Sequence, residues 1–191
     1  MSDVTDVTKP LPEAGQTLAE YAASRLRDVP DFPEPGVVFK DVTPLLADGA
    51  AFSAVVRDIA ERRRGTVDLV AGIEARGFIF GAAVAHELGI GFVPVRKAGK
   101  LPGKTVGVSY DLEYGSATIE IHEDSFVGGE RVLVIDDVLA TGGTAAATCE
   151  LLEGSGATVV GFEAVIELAF LRGRSRLEGR DVHTTVVVSG D

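Results

Sequence analysis

Residues 131–145 read RVLVIDDVLATGGTA: an apolar run ends in two adjacent carboxylates, Asp136 and Asp137, and a turn through Thr141, Gly142, Gly143 and Thr144 then opens an Ala-rich segment. Backbone N–H groups at such a turn, and at the start of the helix that follows, have no intrahelical partner and favour a bound anion, a phosphate above all. The glycines let the backbone come close to the ligand, and the threonine hydroxyls can donate further hydrogen bonds. An ordinary strand-to-helix turn with Thr144 as N-cap is the plain alternative. The acids weigh against it. Side by side at a strand's carboxyl end they repel each other and a neighbouring phosphate unless something between them supplies donors or positive charge. A ribose offers two hydroxyl donors about one sugar's length from its 5′-phosphate, and Mg2+ would also offset the charge. The chemistry suggested is recognition of a phosphorylated sugar, with the turn for the phosphate and the carboxylates for the alcohols.

A bound anion also calls for cations, yet the chain is acidic overall, with a formal charge of −11. From Leu88 to Tyr110 the sign reverses locally: Arg96, Lys97, Lys100 and Lys104 are present and no acid is. The acidic total argues against sequence-independent nucleic-acid binding, which needs basic surface to release counterions. Two other glycine signals fail. Gly103-Lys104-Thr105 has Ala98 where a P-loop needs its first glycine and continues as an alternating strand, while Gly154-Ser155-Gly156 follows a helix and reads as its stop. His86, His122 and His183 are scattered without ligand spacing, and no covalent nucleophile is evident. The single cysteine, Cys149, allows no internal disulfide and is expected as a small buried residue on a helix.

The elements that must position these groups show in the hydrophobic periods. A length of 191 residues with 46% hydrophobic and 25% charged residues suits one α/β domain, expected over 17–191 behind a flexible polar tail, 1–16. The tail lacks the basic start and apolar core of a secretory signal. Nowhere do about 18 apolar residues run together, so a cytoplasmic protein without a membrane span is expected. Leu18, Tyr21, Ala22, Leu26 and Val29 predict a helix over 17–29, ended by Pro30, and the three-proline stretch DFPEPGVVFKDVTPLL predicts an extended or turning segment. Phe52, Val55, Val56 and Ile59 predict a second helix closing on Arg62, Arg63 and Arg64, a triplet that reads as a solvated last turn favourable to the helix dipole. From Val67 onward strands alternate with helices, VDLVAGI, ARGFIFGAAVAHEL and GFVPVRK, then VLVID, TAAATCELLEG and TVVGFEAVIEL. This predicts a parallel sheet flanked by helices, with ligands at the strands' carboxyl ends. The alternation in KTVGVSYDLEYGSATIEIHED predicts an antiparallel hairpin inserted into the parallel unit, turning near Tyr114, Gly115 and Ser116.

The segment VLVIDDVLATGGTA resembles the phosphoribosyl-diphosphate motif of the type I phosphoribosyltransferases. DFPEPGVVFKDVTPLL, AGIEARGFIFG, VRKAGKLPG and LEYG occur in the order and at spacings similar to those of that family's adenine-specific members. The resemblance covers about residues 18–172. It implies transfer of a phosphoribosyl group from 5-phospho-α-D-ribose 1-diphosphate to adenine, giving AMP and diphosphate. Mg2+ is then required, held mainly through the substrate's diphosphate and water rather than by a protein ligand set. On this template Ala140, Thr141, Gly142, Gly143 and Thr144 hold the 5′-phosphate and Asp136 and Asp137 face the ribose hydroxyls. Arg76, Lys97 and Lys100 gather the diphosphate, and the Glu74–Ala75 peptide is cis. Base recognition falls to Val38, Phe39 and Lys40, with the ring stacking on the purine for about 1–3 kcal/mol and backbone groups of Val38 and Lys40 reading its amino edge. Glu113 and Tyr114 form a small lid at the hairpin turn, Glu113 taking or holding the purine proton and Tyr114 orienting sugar or diphosphate. A homodimer is implied as well. Two alternatives stay open: an enzyme for another base (xanthine, hypoxanthine or a pyrimidine), and a non-catalytic regulator that senses phosphoribosyl diphosphate and binds DNA.

Overall fold

The computed structural model describes residues 15–32, 34–111 and 115–190, and the chain's contacts divide it into two units, one up to Val55 and one from Val56. In the first, the Thr17 hydroxyl and the Glu20 carboxylate take each other's backbone N–H groups, a capping box that starts helix α1 (Leu18–Ala23). The helix stops well short of Pro30. Arg27–Pro30 is instead strand β1, paired antiparallel with β2 (Val38–Asp41). Cross-strand partners and an Arg27–Asp41 ion pair outweigh the local helical spacing. Asp41 also accepts the Thr43 N–H, and this bond together with Arg27 lowers its pKa to about 2. Helix α2 (Thr43–Ala47) follows, with Pro44 in its first turn. Asp48 then takes the N–H groups of Ala50 and Ala51 at the start of α3 (Gly49–Arg63), within which the boundary between the units falls.

The second unit is built on a seven-stranded sheet of order β5-β6-β4-β3-β7-β8-β9. Strands β3 (Leu69–Ile73), β4 (Gly91–Lys97), β7 (Arg131–Leu139), β8 (Thr158–Leu168) and β9 (Val182–Val188) are parallel. The inserted hairpin, β5 (Thr105–Asp111) and β6 (Ser116–His122), joins antiparallel through β6 against β4. Helix α4 (Gly77–Leu88) packs closely on one face, where a Cβ added at Gly81 would lie 2.9 Å from the Phe92 ring and 3.5 Å from Val70. Ala71, Ile73, Val132 and Val134 point the other way, into a core shared with α5 (Gly143–Gly154). Cys149 lies buried in that core, and burial pushes its thiol pKa up to about 11. Thr105 begins a strand and α5 ends at Gly154, as expected of the two rejected glycine signals. Because β3, β4 and β7 run the same way, residues 74–76, 97–100 and 140–144 all leave one edge of the sheet.

Of the basic triplet that closes α3, Arg62 and Arg64 are exposed as expected, but Arg63 is not. Arg63 is only 5% exposed, and its guanidinium lies between Glu163 (2.7 Å), itself 1% exposed, and Asp181 (2.5 Å). Arg62 reaches Glu163 as well, at 3.0 Å. Gly161 makes the space: a Cβ there would sit 2.9–3.0 Å from the guanidinium atoms. A charge far away in sequence, in a strand that otherwise reads as apolar, sets this placement. Among the described residues no helix is long and apolar enough to cross a membrane.

Candidate active site

Strand β7 delivers Asp136 and Asp137 to the sheet edge, and the chain then turns through Ala140, Thr141 and Gly142 into α5. The helix begins at Gly143, with Gly142 rather than Thr144 as N-cap, in the left-handed region at φ 78°. No side chain caps it, so the first-turn N–H groups are left to a ligand or water. Asp136 and the run from Val138 to Ala145 line a cleft of about 70 Å³. Thr144 Oγ1 lies 2.9 Å from the Tyr110 hydroxyl on β5. The turn's other neighbour is Gly173, a residue without weight in the sequence reading. A Cβ on Gly142 would collide with the Gly173 carbonyl, and one on Gly173 would collide with the Ala140 carbonyl and lie 2.8 Å from the Gly142 nitrogen. Two backbones thus touch without side chains between them. No local period announces this contact, because its halves are far apart in the chain.

The acid pair is more constrained than its sequence suggests. Asp136 Oδ1 accepts the Asp137 N–H at 2.8 Å. Asp137 is 7% exposed, and its Oδ2 is buried with no hydrogen-bond partner although Arg76 Nε is 3.1 Å away as an ion pair. Arg76, expected at the diphosphate, is thereby placed beside the carboxylates at the start of α4. Gly77 permits that approach, since a Cβ would lie 2.8 Å from the Ile135 carbonyl and 3.0 Å from Asp136 Oδ1. Burial first, and the neighbouring Asp137 charge second, raise the Asp136 pKa well above the usual carboxylate range. A carboxyl that keeps its proton can both donate to and accept from a sugar hydroxyl.

Lys97 and Lys100 are exposed, but their backbone is held from two sides. Glu74 Oε2 accepts the Lys97 N–H (3.0 Å) and Arg96 Nε (3.1 Å), and Arg96 Nη1 donates to the Lys100 carbonyl at 2.9 Å. Glu120, on β6, accepts the N–H groups of Gly99 and Leu101. The Glu74–Ala75 peptide is cis, as the resemblance implied. Glu74, Glu120 and Tyr110 carry no signal in the sequence because each acts on a partner in another element rather than within its own period.

Val38, Phe39 and Lys40 lie together on β2 in the first unit. The Phe39 ring meets Phe32 edge to face with centroids 5.3 Å apart, and Lys40 Nζ is 2.7 Å from Asp28. Pro30, opposite Val38 in the ladder, has no N–H to donate to it. Glu113 and Tyr114 lie outside the described residues.

Residues 45–190 match the model of the phosphoribosyl transferase domain. The chain belongs to the phosphoribosyltransferase family. It is 56% identical over 177 residues to an adenine phosphoribosyltransferase of Salinispora tropica, an alignment covering 92% of this chain and 94% of that one. The adenine phosphoribosyltransferase of Thermoanaerobacter pseudethanolicus has a similar solved structure, with a TM-score of 0.86 at 46% identity over 90% of this chain and all (100%) of that one. That of Saccharomyces cerevisiae, solved with an imino-altritol 1,6-bisphosphate and adenine, gives 0.84 at 39% identity over 88% and 98% of the two chains.

Two outcomes follow from this geometry. Gly173→Ala forces the turn at 140–142 to move and is expected to weaken ribose 5-phosphate binding about tenfold or more by calorimetry. Gly154→Ala, at the far end of α5 with open space around it, serves as the unaffected control. For Asp136 the pH dependence has a definite sign. A carboxyl with its folded-state pKa raised gives stability that is fully present below its ordinary value of 3.8 and is lost as pH climbs through the folded-state pKa. Unliganded protein should therefore lose stability over that rise, and Asp136→Asn should flatten the profile in urea titrations taken at successive pH values.

Proposed function

We infer that this chain is an adenine phosphoribosyltransferase, which transfers the 5-phosphoribosyl group of 5-phospho-α-D-ribose 1-diphosphate to adenine in purine salvage. The observation that carries the reading is the meeting, at the end of β7, of an uncapped helix start with two carboxylates, one with a buried oxygen that faces Arg76 but has no hydrogen-bond partner. The choice of adenine rests on relatives that carry that name at high identity and near-complete coverage.

In the reaction the bond from the anomeric carbon to diphosphate breaks with its electron pair on the departing oxygen. A bond to a purine ring nitrogen forms, and that nitrogen gives up its proton. Positive character grows on the sugar carbon, so acceleration comes from positioning and charge stabilisation. We assign Ala140–Thr144 to the 5′-phosphate and Asp136 and Asp137 to the ribose hydroxyls. Arg76, Lys97 and Lys100 take the diphosphate, and Val38, Phe39 and Lys40 the base. Glu113 holds or accepts the purine proton, and Tyr114 orients the sugar or diphosphate. Mg2+ would be held mainly through the substrate's diphosphate and water, a mode that suits a small hard cation that keeps its waters, and the acid pair beside it has a buried Asp137 oxygen with no hydrogen-bond partner. When bound it neutralises charge on the departing diphosphate. A cytoplasmic homodimer completes the reading.

Incubation with adenine, phosphoribosyl diphosphate and Mg2+ should yield AMP and diphosphate, with hypoxanthine, xanthine and uracil reacting far more slowly. Comparable turnover of another base would overturn the assignment to adenine, and DNA binding without turnover would overturn the enzyme itself. Glu113→Gln should lower kcat by about 10²-fold, the lower end of what proton transfer contributes, with little change in KM. An unchanged kcat would remove the proton role.

A further inference from the structure

A substrate charged at both ends needs two anion sites at the right separation, here the turn at 140–144 and the lysine loop at 97–101. Both are tied to the β5–β6 hairpin. Near one end of β5, the Tyr110 hydroxyl meets Thr144 Oγ1 at 2.9 Å, and the Tyr110 ring and the Asp111 carbonyl each lie 3.7 Å from where a Gly143 Cβ would stand. On the other strand Glu120 is 8% exposed, and its carboxylate accepts the N–H groups of Gly99 (3.0 Å) and Leu101 (3.3 Å) and the Thr105 hydroxyl (3.2 Å). Burying a carboxylate on neutral donors carries a desolvation cost, and what it secures here is the shape of the loop that carries Lys97 and Lys100. Tyr110 pairs with Ala117 and Glu120 with Gly107. The two ties are therefore three residues apart on the ladder, roughly 10 Å at ~3.4 Å per residue. They also use opposite faces: Tyr110 follows Val106 and Val108 onto the α5 side, while Glu120 alternates with the core residues Ile119 and Ile121.

We propose that Tyr110 and Glu120 are positioning residues, and that the hairpin is a spacer setting the distance between the two anion sites to the span of a sugar phosphorylated at both ends. The proposal rests on the reading of the site as one for phosphoribosyl diphosphate. A doubly anchored ligand gains from its second contact only when the sites stand at its own length, whereas a singly anchored one is indifferent to that distance. A loosened tie thus weakens the whole substrate more than either of its parts.

The test is calorimetric titration, in Mg2+ and without base, of ribose 5-phosphate, of diphosphate and of phosphoribosyl diphosphate. The proteins are the wild type, Tyr110→Phe and Glu120→Gln. Each variant should bind the two fragments within about twofold of wild type and the intact substrate about tenfold more weakly, a small part of the ~10²–10⁴ that linkage can supply. Intact substrate and fragments weakened by equal factors, or nothing weakened, would overturn the spacer. A wild type that binds none of the three would overturn the functional reading instead. Should Glu120→Gln lose its cooperative thermal transition, Thr105→Val, which removes one donor from the same carboxylate, carries the comparison with the same expected result.

Discussion

A phosphate held by main-chain N–H groups is held only as firmly as the main chain itself. The turn after β7, proposed for the 5′-phosphate, is braced backbone against backbone: it rests on Gly173, with no room for a Cβ on either side. Several features serve that contact. β8 runs parallel beside β7 and carries the chain back to the same edge. Two short 3-10 turns follow, with Arg172 between them in the left-handed region at φ 54°, and Leu177 anchors the segment in the core. A left-handed non-glycine residue is uncommon, and here it immediately precedes the residue that supports the turn.

The same closeness governs the electrostatics. Gly77 brings α4 against Asp136, Arg76 is brought beside Asp137, and the two carboxylates share one strand end. Two adjacent carboxylates, Asp137 buried and Asp136 half-buried, cannot both shed their protons at ordinary cost, and the site meets this by raising the Asp136 pKa and by setting a guanidinium beside its neighbour. The pair therefore combines a carboxyl that holds its proton with an ion-paired acceptor oxygen that has no hydrogen-bond donor, a mixture suited to hydroxyl groups that donate and accept.

Features that depend on neighbours in sequence are legible in the sequence itself. The alternation of strands and helices from Val67, the hairpin between Thr105 and His122, the glycine turn and the basic stretch all have local periods or compositions. Features that depend on partners across the fold are not. Leu26 and Val29 fit a helical spacing, yet β2 claims Arg27–Pro30 as a strand. Arg63 looks solvated until Glu163 is placed beside it. Gly173, Glu74 and Glu120 resemble any other glycine or surface acid, because what distinguishes each is a contact across the sheet or between loops.

The lone thiol of the chain sits in the core under α5, protonated at neutral pH and shielded from solvent. Thiol-directed alkylating reagents thus meet no accessible native thiol. A cysteine introduced on the β5–β6 ribbon can take a fluorophore or spin label selectively, and the native protein becomes its own clean background for following that ribbon as ligands arrive.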